Sequence, residues 1–241
     1  MVWLRPGERA IISFMAADAV MTVVTSAGRL FVPAGALDHR SFLKWLRSGA
    51  VPEEARVAFI RDQVWIDSMP ERAYAHNQIK TLVASVLMPL IRSGKLGVYF
   101  GDGMTFTSES EGFTTVPDGM FVSQASIDEK RVRLSGGKRG QRDTELVGTP
   151  DLIIEVVSDT SVDEDTAWCM SKYSDAGIPE YWVIDARSEP IRFAIHRWTS
   201  KGYAAVRKVE GWSKSSVLDY SFRFVPGESQ LGHRTYDFEH R

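Results

Sequence analysis

Residues 150–185 contain two apolar runs on either side of a polar segment of helical length, and this order constrains the fold more than any other feature. The runs are Leu152–Val157 and Tyr181–Ile184. Such an order is typical of a strand, a crossover helix and a second strand. Glu155 lies inside the first run, where a dry and unpaired carboxylate is strongly unfavourable. We therefore expect a compensating partner for it, and a divalent cation is one candidate.

The composition indicates a globular protein without a strong charge bias. The chain has 241 residues, of which 44% are hydrophobic, enough for one large core or a core with a small appendage. Its net charge of −2 does not by itself indicate a nucleic-acid partner. The single cysteine, Cys169, excludes a disulfide framework and a cysteine zinc cluster and fits a reducing compartment. The stretch Ala10–Thr25 is too interrupted by polar residues to span a bilayer, so we expect a cytoplasmic protein with no membrane partner.

The first 50 residues are predicted to form a small accessory lobe, and residues 51–230 the main domain. The lobe is expected to contain three short strands and a brief helix, Phe42–Arg47, with Ser41 as a candidate cap. No chemistry is evident in it.

The main domain begins with a predicted hairpin around Arg61-Asp62, followed by an amphipathic helix that ends near Ser93-Gly94. Three strands of an antiparallel meander come next, near residues 98–100, 104–107 and 120–122. After the crossover, the pattern predicts a hairpin, a further strand and a frayed C-terminus. The elements together predict a mixed α/β sheet.

Three acids are candidates for a metal site. Asp118, in the segment VPDGMFV, shares a predicted strand face with core residues, but a turn aspartate after proline is the alternative. Glu155 could instead form a buried salt bridge with Arg187 or Arg192. Asp151 lies on the same predicted strand face as Glu155 and could be a third ligand or simply a cap.

Two basic residues could assist such a site. Lys172 lies on the predicted crossover helix, where its ammonium could hold a scissile phosphate or lower the pKa of a water, or could simply be solvated. His76 lies beside the apolar stripe of the first long helix and is either catalytic or a core histidine.

Two carboxylates on strands, followed by a lysine on the next helix, suit a Mg²⁺ or Mn²⁺ site. Such an ion can activate a water molecule and neutralise charge on a phosphate. The sequence contains no paired histidine or cysteine motif for zinc, no phosphate-binding loop and no Gly-x-Ser-x-Gly motif.

A basic stretch between the two acids is the candidate nucleic-acid contact. Its cationic residues are Lys130, Arg131, Arg133, Lys138, Arg139 and Arg142. If they contact phosphates, affinity for DNA should fall steeply with salt. A solvated flexible loop is the alternative.

The order of motifs resembles that of the Uma-two family of restriction-endonuclease-like proteins, within the PD-(D/E)XK nuclease superfamily. The residues that carry this resemblance are PDLIIEVVS, the pair KY, AGIPEYWVID, the upstream VPDGMFV, Met69-Pro70 and His76-Asn77. The resemblance covers about residues 55–225 and leaves residues 1–50 unexplained.

The resemblance implies a restriction-endonuclease-like fold, in which a mixed sheet flanked by helices carries a small N-terminal α+β appendage. It further implies an Mg²⁺-dependent endonuclease acting on DNA, with Asp118 and Glu155 as ligands, and it leaves open a homodimer. The superfamily's usual lysine position is Val157 here, and the family's helix position is Cys169. Lys172 is the nearest substitute. Without a working lysine, the chain would be a catalytically silent module for nucleic-acid binding or assembly. An enzyme for another phosphodiester is the third hypothesis.

Overall fold

The computed structural model describes residues 2–4, 9–13, 20–25, 28–33, 35–36, 38–52, 55–67, 73–135, 144–157, 163–187, 189–229 and 231–241. The strands are β1 (Val2–Leu4), β2 (Arg9–Ser13), β3 (Val20–Thr25), β4 (Gly28–Pro33), β5 (Arg56–Ile60), β6 (Gln63–Asp67), β7 (Gly97–Gly101), β8 (Thr105–Ser108), β9 (Phe113–Thr115), β10 (Gly119–Ser123), β11 (Val132–Ser135), β12 (Glu145–Gly148), β13 (Leu152–Val156), β14 (Glu180–Asp185), β15 (Arg192–Thr199), β16 (Gly202–Ala205), β17 (Ser213–Lys214), β18 (Ser221–Pro226) and β19 (Tyr236–His240). The helices are α1 (His39–Leu46), α2 (Ile79–Gly94), α3 (Gln124–Asp128) and α4 (Asp163–Asp175), and a π-helical turn, Ala73–Gln78, leads into α2.

The backbone packs into two compact units. The first unit comprises Met1–Pro70, Gly103–Val116 and Arg133–Gly148, and the second comprises Glu71–Asp102, Pro117–Val132 and Thr149–Arg241. The domain boundary predicted at residue 50 stays a prediction. Within the described part of the chain, no helix is both long enough and apolar enough to cross a bilayer.

The first unit contains a sheet whose described strands run in the order β1-β6-β5-β9-β8-β12-β11. The predicted hairpin around Arg61-Asp62 is present, since β5 and β6 pair antiparallel. Its apolar residues share a core with β4 and α1. The guanidinium of Arg47, at the end of α1, donates two hydrogen bonds to the buried carboxylate of Glu145 in β12. Asp38, and not the predicted Ser41, caps α1, because its side chain accepts from the Ser41 N–H.

The second unit contains a sheet whose described strands run in the order β16-β15-β14-β13-β10-β7. Strands β13 and β14 pair in parallel, as the predicted crossover through α4 requires. One face of the sheet packs against α2, whose apolar stripe includes Ile79, Val83 and Leu87. The mixed α/β fold predicted from the sequence is therefore confirmed.

Two predictions about the strands are wrong. The three strands expected to form one meander do not, because β8 pairs with β9 while β7 pairs directly with β10. The short strand β9 was not predicted from the sequence. It pairs with β8, so that β8 belongs to the sheet of the first unit. The C-terminus is not frayed, because β19 pairs with β18 and buries Phe238, which stacks on Phe222.

Backbone packing requires glycine where β7 begins. Gly97 has a φ of +147°, and a Cβ there would lie 2.0 Å from the carbonyl oxygen of Val122. No other residue allows that approach. Strand β7 thereby pairs closely with β10, and this pairing positions the acids described below.

Glu180, in the GIPEYWVID segment, is a buried structural carboxylate. It accepts hydrogen bonds from the Trp182 indole, the Ser215 hydroxyl, the Ser216 backbone and hydroxyl, and the Val217 backbone. These donors fix the turn at residues 215–217 against the start of β14. Such a fully satisfied carboxylate stabilises the fold.

We expect Glu180→Ala to lower the free energy of unfolding by about 3 kcal/mol or more, because it leaves several buried donors unpaired. The control is Glu228→Ala, at an exposed glutamate. Urea denaturation of both variants measures the effect. Equal stability of the two variants would show that the Glu180 contacts are dispensable.

Candidate active site

Strand pairing brings three acids into one row at the edge of the second unit's sheet. In β10, Gly119 lies opposite Ile154 of β13 and opposite Gly101 of β7. One step further along the same registers, Asp118 is level with Glu155 on one side and with Asp102 on the other. Residues level with each other on neighbouring strands are close in space.

Asp118 is the central acid of this row, and its side chain is only 9% exposed. Its Oδ2 accepts a hydrogen bond of 2.7 Å from the backbone N–H of Val156, the residue after Glu155. The same oxygen lies 3.4 Å from Nε2 of His76. Its Oδ1 lies 3.5 Å from Nζ of Lys80. Asp118 is therefore held by a backbone donor and by two basic side chains.

Lys80 is a site residue that the sequence analysis missed. Its Nζ lies 2.9 Å from Oδ2 of Asp102 and its side chain is 7% exposed. Lysine is rarely so buried unless it is paired. One feature of the sequence could have indicated Lys80. It lies four residues after His76, and on a helix this spacing places the two side chains one turn apart.

Glu155 is half-buried beside Asp118 and the helix α4. The Tyr173 hydroxyl donates a hydrogen bond of 2.7 Å to its Oε1. Burial, and after it the charge of Asp118, raises the pKa of Glu155, and the net result is a rise from 4.5 to about 8. The hydrogen bonds from Tyr173 and from the Asp118 backbone, and the charge of His76, act against that rise. Without a metal ion, the net effect of these groups favours the protonated form of Glu155.

Aromatic residues surround the acids. The rings of Tyr173 and Tyr181 lie 5.3 Å apart, and burial together with the charge of Glu155 holds the pKa of both phenols well above the usual range. The buried Tyr181 hydroxyl has no hydrogen-bond partner among the described residues. Tyr99 lies against Gly119, where a Cβ would be 2.4 Å from its hydroxyl. The low-polarity wall that these rings form strengthens every charge interaction in the cluster.

Asp151 is held by contacts away from this cluster. It accepts from the Ser123 N–H at 2.7 Å and from the Ser126 hydroxyl at 2.6 Å, and it pairs with Arg131 at 3.1 Å. These contacts attach the start of β13 to the N-terminus of α3. The described contacts of Asp151 are those of a structural acid, and its role as a third ligand stays a prediction.

The predicted salt bridge from Glu155 to an arginine is not found among the described contacts. Arg187 pairs with Asp185 at 2.9 Å. The ammonium of Lys172 lies 5.9 Å from the centre of the Trp168 ring, one turn earlier on the same helix. The structure therefore brings His76 to the acids but gives Lys172 a contact elsewhere, and the catalytic role of Lys172 stays a prediction.

The basic stretch is only partly described. Lys130 is exposed, and Arg131 also pairs with Glu129 at 3.2 Å. Arg133 pairs with Glu109 at 3.1 Å. Lys138, Arg139 and Arg142 lie outside the described residues, as do Met69-Pro70 of the family resemblance. Two of the predicted DNA contacts therefore have acidic partners of their own.

The acids fit Mg²⁺ or Mn²⁺ by their chemistry. Mg²⁺ is commonly bound by one or two carboxylates and keeps several of its waters. Burial raises the pKa of Glu155 most, and repulsion by Asp118 adds to that rise; a cation between the two acids would relieve this repulsion. No group of three or more His, Cys, Asp or Glu side chains within the described ranges is arranged to hold a metal. An ion here would therefore depend on these two acids and on water.

Comparisons with known proteins give a family and a shared fold. The family model Uma2, described as a putative restriction endonuclease, matches residues 40–222. The structure is similar to the crystal structure of a putative nuclease belonging to DUF820 from Anabaena variabilis, with a TM-score of 0.54 and 16% sequence identity. That similarity covers 76% of this chain and 90% of the other, and it shows the shared fold. No curated protein sequence matches the chain significantly.

The raised pKa of Glu155 predicts a pH dependence of stability. A folded pKa of about 8 against an ordinary 4.5 means that the folded protein binds more protons than the unfolded chain between these values. The contribution to stability is therefore full below the lower value and is lost as pH rises through the upper one. We expect the free energy of unfolding of wild type, relative to that of Glu155→Gln, to fall as pH rises through that window. Denaturant titrations without divalent cations measure it.

Glu228→Gln, at an exposed site, serves as the control for that titration. Its stability should follow the wild-type curve at every pH. A wild-type curve that runs parallel to that of Glu155→Gln would contradict the assignment of the raised pKa to Glu155.

Proposed function

Because the chain belongs to the Uma2 family of putative restriction endonucleases, we propose that it is a metal-dependent endonuclease that hydrolyses phosphodiester bonds in DNA. The observation that supports this most is the arrangement of Asp118 and Glu155 in one buried cluster. Asp118 reaches across to the backbone of Val156, directly beside Glu155. Two acids in such an arrangement repel one another unless a proton or a cation lies between them.

In the proposed site, Asp118 and Glu155 are the ligands of Mg²⁺ or Mn²⁺. The bound ion would lower the pKa of an attacking water and neutralise charge that develops on the phosphate. The Val156 N–H fixes the orientation of the Asp118 carboxylate before any ligand arrives. The Tyr173 hydroxyl does the same for Glu155. Preorganised side chains of this kind bind and orient without rearranging during the reaction.

DNA is the proposed substrate, and the stretch Lys130–Arg142 is the proposed contact with its phosphates. Lys130 is exposed and is available for that contact. Arg131 and Arg133 could contribute only by exchanging their present acidic partners for phosphate. Lys138, Arg139 and Arg142 complete the cationic set. The homodimer stays a prediction.

A catalytically silent nuclease fold is the second candidate, and one observation favours it. The cluster already contains internal compensation, because Lys80 and His76 lie within 3.5 Å of the Asp118 carboxylate. A cluster neutralised in this way has less need of a metal ion. Under this hypothesis calorimetry with Mn²⁺ would detect no site.

We expect Asp118→Asn and Glu155→Gln each to reduce Mg²⁺-dependent nicking of plasmid DNA by about 1,000-fold or more, since each removes a proposed ligand. Each variant should also bind Mn²⁺ more weakly in calorimetry. Asp175→Asn, at an exposed acid near the end of α4, is the matched control and should nick as wild type does. Wild-type nicking by both site variants would refute the two-carboxylate site.

The proposed DNA contact predicts a salt dependence. Replacing Lys138, Arg139 and Arg142 together by alanine should weaken duplex binding and reduce the slope of log K against log salt by about 1 for each phosphate that the protein no longer neutralises. Replacing exposed Lys201, Arg207 and Lys208 by alanine changes net charge equally and controls for it. Filter binding without divalent cations measures both. Identical slopes in the two triple variants would leave no role for the basic stretch.

A further inference from the structure

We propose that Lys80 is the catalytic lysine of this site, contacting the scissile phosphate; the inference rests on the proposed nuclease function. Lys80 is the described lysine that the fold places against the paired acids. Its ammonium lies 2.9 Å from Asp102 and 3.5 Å from Asp118. It approaches them from α2, so the site draws on that helix as well as on β10 and β13.

The burial of Lys80 needs an explanation beyond helix packing. A lysine side chain that is only 7% exposed loses most of its hydration, and its neighbours on the stripe, Ile79 and Val83, are core residues. A solvated face of the helix would be the ordinary place for this side chain. Instead the fold places it between two carboxylates, whose negative charges offset the cost of burying an ammonium. The result is a fixed point charge inside the acidic cluster.

The contacts of Lys80 with Asp102 and with Asp118 differ in a way that suits a substrate-binding role. The distance to Asp102 is that of a good charge-assisted hydrogen bond, whereas 3.5 Å to Asp118 is a looser ion pair. Asp102 therefore acts as the positioning residue. When a cation engages Asp118, the lysine can give up the looser contact while Asp102 continues to hold it. The donor that leaves Asp118 can then turn to a non-bridging phosphate oxygen.

The step that Lys80 assists balances without any other reactant. The oxygen of a water molecule forms a bond to phosphorus, and the bond from phosphorus to one ester oxygen breaks. One water proton ends on the released alcohol and the other on the new phosphate monoester. Lys80 keeps its proton throughout and stabilises the negative charge that builds on the non-bridging oxygens.

Lys172, the lysine predicted from the sequence, has a different environment. Its ammonium lies 5.9 Å from the centre of the Trp168 ring and its side chain is only partly buried. On the same helix, Tyr173 is the residue that reaches Glu155. Neighbouring helical positions point in directions about 100° apart. The face of α4 that meets the acids is therefore that of Tyr173.

The decisive variant is Lys80→Met, which keeps a similar chain length without the charge. We expect cleavage of saturating duplex DNA in a single turnover to slow by about 100-fold or more. Calorimetric Mn²⁺ affinity should stay equal to wild type or become tighter, because a positive charge beside the ion has been removed. Lys80→Gln, which keeps a neutral donor between the acids, should show the same loss. Lys208→Met, at an exposed lysine, is the matched control.

Asp102→Asn tests the positioning role. It should slow the saturated single-turnover rate by about 10-fold, a smaller loss than that of Lys80→Met, while Mn²⁺ affinity and DNA affinity stay unchanged. If the contact were merely structural, Asp102→Asn would lower the free energy of unfolding. It would not slow the rate while leaving the affinities for Mn²⁺ and DNA unchanged.

Several results would overturn the role of Lys80. One is a wild-type rate for Lys80→Met or Lys80→Gln in a protein that binds Mn²⁺. Another is loss of Mn²⁺ affinity together with activity, which would make Lys80 a support of the ion site alone. A third is loss of activity in Lys172→Met with wild-type activity in Lys80→Met. A wild-type protein that neither cuts DNA nor binds Mn²⁺ would instead overturn the proposed function itself, and this outcome is distinct from the other three.

Discussion

The hydrogen bond from the Val156 backbone to the Asp118 carboxylate is the contact on which the candidate site depends. It joins residues 38 positions apart in the chain and is possible because β10 lies between β7 and β13. Gly97 allows β7 to pair closely with β10, and Gly119 leaves room for the Tyr99 ring beside it. The position of the Asp118 carboxylate therefore depends on strand pairing and on glycine at positions 97 and 119.

The acids of the second unit divide into two kinds according to what surrounds them. Glu180 and Asp151 are supplied with hydrogen-bond donors from serines, backbone amides and, for Asp151, an arginine. Asp118 and Glu155 have donors as well, but each also lies in the field of the other acid, and burial together with this repulsion raises the pKa of Glu155. Acids that contact only donors stabilise a fold, whereas acids that also repel one another are poised to bind a proton or a cation. This contrast separates the structural acids from the candidate ligands within one sheet.

Local patterns were sufficient for much of the fold. The apolar runs around α4 predicted a parallel strand pair, and the alternation around Arg61-Asp62 predicted a hairpin; both are present. The failures concerned a very short strand and the C-terminal strand. The three-residue strand β9, which follows β8 closely in the sequence, was not predicted, and β8 pairs with it in the sheet of the first unit. The alternating aromatics of β19 were an available signal that the C-terminus is a strand, since such alternation is typical of a half-buried strand.

The sequence by itself determined that Asp118 directly precedes one apolar strand and that Glu155 lies inside another, because an apolar run can be recognised from neighbouring residues. Only the tertiary structure decided which basic side chains contact the acids of this cluster. Lys80 reaches Asp102 across 22 residues, whereas Lys172, close to Glu155 along the chain, contacts Trp168. Side-chain partners depend on strand order and helix rotation, and these are settled when the core packs.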